Sequence, residues 1–258
     1  MTFTMWSFGH FIFILSPLVF AFILIYLTKN KTQEEKRKIG LWLSWLAILI
    51  LVMRNIEIFY KDDFQFDYEI VPLQICHFAN FVLLLAFWKN SKPLFAFALL
   101  LNLPAAMMSI LFANSLENYA TILTFRGMAY IFGHLLIVSL AVYAYVTGFV
   151  VLNRSIFQKT LKIVAVLYVS SVFINNLFRL VFLQESNFFY TFKPESGTPL
   201  EIFFDWGSNL NWGGFMINPI YLVMTAALGF VVMGLVYLLA KYLQDRRALS
   251  YKQELVTE

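Results

Sequence analysis

Seven long apolar runs constrain this chain more than any other feature. They lie at roughly 8–27, 39–59, 71–88, 93–113, 128–149, 161–184 and 215–240. Each approaches the ~20 residues that a helix needs to cross a ~30 Å hydrocarbon layer. Backbone polar groups cannot go unpaired in lipid, so helices and not an open sheet are the form such runs can take. The expectation is an all-α membrane protein, a single seven-transmembrane-helix bundle over residues 1–258. Composition agrees, with 60% hydrophobic and only 13% charged residues, more apolar surface than a soluble domain can hide. The opening "MTFTMWSFGHFIFIL" has neither a basic n-region nor a small-residue cleavage site, so it reads as a retained first helix. The lone cysteine excludes an internal disulfide and a Cys-rich metal cluster.

The loops alternate in charge. One side carries Lys29, Lys31, Lys36, Arg37, Lys38, Lys89, Lys92, Arg154, Lys159, Lys162, Lys241, Arg246, Arg247 and Lys252. The other carries only Lys61, Arg126 and Lys193, beside acids such as Asp62, Asp63, Asp67 and Glu69. The positive-inside rule then puts the N-terminus outside and the C-terminus in the cytoplasm, in a multi-pass protein of the plasma membrane. The net charge of +4 follows from this topology and gives no reason to expect a nucleic-acid partner. The longest outer loop, from about 185 to 214, contains "NFFYTFKPESGTPLEIFFDWG". A loop so aromatic is expected to pack over the mouth of the bundle.

Polar groups inside the runs are costly and need a reason. Cys76, His77 and Asn80 lie in the outer half of the third run, and His134 in the outer half of the fifth. Asn175, Asn176 and Arg179 lie in the outer half of the sixth, His10 near the outer end of the first, and Arg54 and Glu57 near that of the second. Asn218 begins the seventh run, and Asn102, in the fourth, is deepest. At ~100° per residue Gln74, Cys76, His77 and Asn80 share one arc of the third helix. Asn175, Asn176 and Arg179 can face inward together, and Arg54 and Glu57, three residues apart, can neutralise each other. A rise of ~1.5 Å per residue puts Cys76 and His134 at one depth, ~8–9 Å below the boundary, which permits contact.

Each group also has a plain structural reading. A membrane cysteine commonly behaves as a small hydrophobe. Histidines and asparagines join helices, and arginines snorkel to headgroups. The functional reading rests on coincidence, since several helices place such groups at one depth on one side. A thiol beside an imidazole suits covalent catalysis, in which the thiolate attacks and the histidine takes its proton. His134, approaching from another helix, is the preferred base, because the ring of His77 leaves the third helix ~100° away from Cys76. Asn80, Asn175 and Asn176 can donate to an oxyanion. Arg179 can grip a phosphate by a forked contact. At this depth the site meets the ester region of a phospholipid, which points to acyl transfer or ester hydrolysis. No cofactor is called for, and three scattered histidines without HxxxH or HExxH spacing are a weak metal signal. A binding or transport protein, with Pro104 in "NLPAAMM" as a helix break, stands as the alternative of another class.

With these residues in view, the chain resembles the YwaF-like integral membrane proteins of bacteria and their animal relative, transmembrane protein 164. "SFGHF" (Ser7–Phe11) resembles the opening of that family's first helix, and "VPLQICHF" its Pro-Leu-x-x-Cys stretch. "YIFGHLLIV" (Tyr130–Val138) resembles its single-histidine helix, and the long outer loop its aromatic Lys-Pro loop. The resemblance implies a phospholipid acyltransferase with a cysteine acyl intermediate. Cys76 would then be the acylated residue and His134 or His77 its partner. Gln74 stands where that family commonly has a histidine, and His77 where an acid often follows the cysteine. The reading is a lipid acyltransferase with a Cys76 thioester and His134 as base. His77, Asn80, Asn175, Asn176, Arg179 and His10 would surround the substrate, a phospholipid or other acyl donor. A lipid ester hydrolase, and a ligand-binding or transporting protein, are its alternatives.

Overall fold

The structure, a computed structural model, describes residues 3–61, 63, 65–113, 116 and 121–257, with 251–257 as backbone alone. Asp62 lies outside the described residues, as does the side chain of Lys252. The chain runs through α1 (Phe8–Thr28), α2 (Gln33–Lys61), α3 (Ile75–Lys89) and α4 (Lys92–Phe97). A π-turn over Ala98–Asn102 joins α4 to α5 (Leu103–Leu111). Then come α6 (Phe125–Val146), α7 (Arg154–Leu177) and a second π-turn, Phe178–Phe182. A short α8 (Leu200–Asp205), the hairpin β1 (Leu210–Trp212) and β2 (Phe215–Ile217), and α9 (Pro219–Thr257) complete the fold. Seven spans among the described residues are long and apolar enough to cross a membrane.

Local chemistry explains where these helices start and bend. α2 begins six residues before its apolar run because Thr32 and Glu35 form a capping box. Thr32 N donates to Glu35 Oε2 (2.8 Å), and Glu35 N to Thr32 Oγ1 (3.3 Å). α7 starts ahead of its run for a similar reason, since the Asn153 side chain accepts from Ile156 N (2.9 Å). Pro17 lies inside α1, where its missing N–H would orphan the Phe13 carbonyl. Ser16 Oγ donates to that carbonyl at 3.0 Å. Ser139 Oγ in turn donates to the Pro17 carbonyl at 2.8 Å, tying α6 to α1. Between α4 and α5, Leu103 N reaches Ala98 O in the wide turn that precedes Pro104, so the helical span runs on without breaking.

α6 is the central post and packs against α1, α2, α3 and α5. At one end of the bundle Phe87, Phe95 and Phe149 meet with ring centroids 4.9, 5.5 and 5.2 Å apart. α2 approaches Phe87 so closely that a Cβ on Gly40 would lie 2.2 Å from its ring, so only glycine fits there. At the other end, where the chain enters α1, the segment between α7 and α9 folds back over the helices. Asn175 Oδ1 accepts from Phe188 N (2.8 Å) and Ser186 Oγ (2.9 Å), and its Nδ2 donates to Phe188 O (3.0 Å) and Thr191 Oγ1 (2.9 Å). Asn176 grips the hairpin through Met216 N (2.7 Å) and Met216 O (3.0 Å). The loop therefore covers this end, and its Phe188 and Phe189 are buried.

Candidate functional site

The polar side chains of α3 and α6 converge beneath that cover. Cys76 lies in the first turn of α3, and His134 two and a half turns into α6. His134 Nε2 is 3.0 Å from Cys76 Sγ. The other ring nitrogen, Nδ1, lies 2.6 Å from the Tyr130 carbonyl, one turn back on the same helix. A carbonyl only accepts, so Nδ1 carries the proton in the neutral ring and Nε2 presents a lone pair to the thiol. That is the tautomer a base toward Cys76 needs. The phenol of Tyr130 donates to Ser109 O at 2.6 Å, and Ser109 Oγ lies 3.8 Å from the thiol on its other side. The imidazole and Tyr130 rings lie with centroids 4.4 Å apart, which restricts the tilt of the imidazole.

Beside the pair is a cavity of about 70 Å³, lined by residues that include Cys76, His77, Asn80, His134, Arg54 and Arg126. That is room for a few waters or for one end of a ligand. Asn80 lies one turn below Cys76, and its Oδ1 is buried without a hydrogen-bond partner. The same holds for Nδ1 of His77. Buried polar atoms of this kind are costly unless something else fills the space.

The other residues singled out from sequence stand elsewhere. His10 accepts from Trp6 N at Nδ1 (2.9 Å) and donates from Nε2 to Ile110 O (2.8 Å), pinning the start of α1 to the end of α5. Asn175 and Asn176 spend their amides on the covering loop and hairpin. Arg179 lies away from the cavity lining, with Nε and Nη2 buried and without hydrogen-bond partners. Arg54 pairs with Glu69 (2.8 Å) where the spacing suggested Glu57, and Glu57 pairs with Lys61. Glu69 is brought back over α2 by the short turn Tyr68–Ile70, a long-range contact that helical periodicity cannot foretell.

Ser109 carries no sequence signal of its own, Arg126 and Glu69 stand in the sequence only as outer-side charges, and Tyr130 and Tyr190 only within the quoted aromatic stretches. Tyr190 follows Phe189 in the covering loop, and both take positive φ (52° and 55°), a strained conformation for residues with side chains. The ring of Phe189 meets that of Phe78, two residues beyond Cys76, at 6.0 Å. Burial pushes the Tyr190 phenol above its ordinary pKa. No hydrophobic pattern announces a strained tyrosine in a loop, and only the aromatic run "NFFYTF" hinted at it.

Gly133 gives the cavity a direct test. It is buried and lines the cavity, yet a Cβ built on it meets nothing within 4 Å. Gly133→Ala should fold normally and gain up to ~1 kcal/mol of helix stability. Gly133→Leu should fold too but reach into the cavity and sharply slow alkylation of Cys76 by a small maleimide. Equal labelling rates for glycine and leucine would mean that the thiol is reached by another route.

The TMEM164 family model matches residues 5–237. No curated protein matches the chain, and no solved structure does.

Proposed function

This chain belongs to the TMEM164 family of membrane proteins, and we propose that it transfers acyl groups between lipids through a thioester on Cys76. The observation that carries this reading is the 3.0 Å contact from His134 Nε2 to Cys76 Sγ, with Nδ1 held by the Tyr130 carbonyl. His134 takes the thiol proton as the sulfur attacks the ester carbonyl carbon and the C–S bond forms. The tetrahedral oxyanion draws on donors at the cavity wall, and the Nδ2 of Asn80, one turn from Cys76, is assigned that role here. The ester C–O bond then breaks, and His134 returns the proton to the leaving alkoxide. In the second half an acceptor hydroxyl loses its proton to His134 and attacks the thioester, the C–S bond breaks, and His134 returns the proton to the departing Cys76 sulfur. If water takes the acceptor's place, the same steps hydrolyse the ester.

Products separate the two outcomes. Purified protein given a diacyl phospholipid with a labelled acyl chain, and an unlabelled lysophospholipid, should move the label to the second lipid. Label found only as free fatty acid would make the protein a hydrolase. If no label left the donor, the ligand-binding or transport reading would lead.

In this proposal the covered end of the bundle faces outward and the cavity serves the outer leaflet of the plasma membrane. In a Cys76→Ser background, single cysteines at Asp63 and Ser196 should react from outside with an impermeant reagent, and those at Lys31 and Gln244 should not. The reverse pattern would assign the cavity to the cytoplasmic leaflet.

A further inference from the structure

At the edge of the Cys76 cavity two guanidinium groups share one carboxylate. Arg54 Nη2 donates to Glu69 Oε2 at 2.8 Å, and Arg126 Nη2 reaches both carboxylate oxygens, at 2.9 and 2.7 Å. Arg54 and Arg126 also line the cavity itself, with the unpartnered Nδ1 of His77 beside them. Arg54 is only 6% exposed, and a guanidinium so buried requires an anion against it. Other bonds hold the backbone around Glu69. Its carbonyl accepts from Arg54 Nη1 (2.9 Å), its N–H donates to Asp67 Oδ1 (2.7 Å), and Asn55 Nδ2 donates to Ile70 O (2.9 Å). The carboxylate can therefore swing away while its backbone stays in place.

We propose that Glu69 is a built-in anionic plug, whose carboxylate occupies, between Arg54 and Arg126, the place of the phosphate oxyanion of an incoming ligand. A phosphate, like a carboxylate, presents paired oxygens to a guanidinium fork, and a phosphodiester carries the same single charge. In a glycerophospholipid the phosphate lies a few bonds from the ester carbonyls. Seating it between the arginines would therefore bring an ester toward Cys76. The plug bridges Arg54 and Arg126 while the site is empty, and gives way only to a ligand that brings its own anion. A neutral lipid ester has nothing to exchange for Glu69 and is disfavoured. The assignment rests on Cys76 being the lipid acyl nucleophile, but its test does not.

The test uses full-length protein carrying Cys76→Ala, so that no acyl chemistry is read. Dissociation constants are measured for dihexanoyl phosphatidylglycerol, for the uncharged dihexanoylglycerol with the same chains, and for inorganic phosphate. Glu69→Gln removes the competitor and should tighten the phospholipid about tenfold or more, the size expected for charge-assisted hydrogen bonds, while dihexanoylglycerol stays unchanged. Arg126→Gln, at a position whose side chain is 40% exposed and so tolerant of change, should weaken the phospholipid by a similar factor and spare the neutral lipid. Competition by inorganic phosphate in Glu69→Gln would show that the phosphate group alone is recognised. Its absence would show that the phosphate is read only on a lipid. The plug is overturned if Glu69→Gln binds the phospholipid no tighter than its parent with equal thermal stability. It is equally overturned if Arg126→Gln loses affinity for the two lipids alike or for neither. Failure of the thioester reading would leave these constants unaffected, so the two failures are distinguishable.

Discussion

His134→Ala is expected to lower the rate of the proposed acylation of Cys76 by about 10²-fold or more, the usual loss when a general base is removed. The size follows from the tautomer. With Nδ1 committed to the Tyr130 carbonyl, Nε2 is, among the described residues, the basic atom hydrogen-bonded to the thiol. A thiol left in apolar surroundings without that base is inert. The substitution opens space where the ring stood, so added imidazole should restore part of the rate, which a merely structural role would not produce. His77→Ala should cost less, because that ring lines the cavity without bonding to Cys76. A His134→Ala protein that acylates at the parent rate would remove His134 from the mechanism.

Asn175→Ala should be the most damaging substitution outside the site. It leaves Phe188 N and Ser186 Oγ without their acceptor and takes a donor from Phe188 O and Thr191 Oγ1, all in a buried setting. Buried groups orphaned in this way cost on the order of 3 kcal/mol together. The strained pair Phe189 and Tyr190 would lose the clamp that holds it. The expected result is a lower unfolding temperature and rapid proteolysis between 183 and 218. Asn175→Asp, which keeps the acceptors, should recover part of the loss. Unchanged proteolysis would mean that the loop is held from elsewhere.

These two residues show how far the sequence could be read. The seven spans were legible because a lipid layer imposes one length and one backbone form on every crossing. The common depth of Cys76 and His134 was legible for a related reason, since helical rise is fixed. Their contact was not, because rotation of α3 against α6 depends on packing across the whole bundle. Asn175 and Asn176 looked like substrate donors, since inward-facing amides on a membrane helix have the same sequence signature whether they serve a ligand or a loop. The structure shows their bonds going to Phe188, Ser186, Thr191 and Met216. Arg54 was placed correctly along its helix, but its partner, Glu69, lies 15 residues away around a turn. The hairpin Leu210–Ile217 was not foreseen at all. Its register rests on Gly213 and Gly214 at positive φ and on the grip of Asn176, inside a segment whose apolar residues resembled the start of the last helix.

If Cys76 carries an acyl group during turnover, that group can be trapped on the protein. Purified protein is incubated with a labelled acyl-CoA or diacyl phospholipid, stopped in denaturant, and treated with neutral hydroxylamine, which cleaves thioesters and spares oxygen esters. The expected result is protein-bound label on the peptide that contains Cys76, released by hydroxylamine and absent from Cys76→Ala. Full lipid turnover in a stable Cys76→Ala protein, with no label on the parent chain, would contradict it.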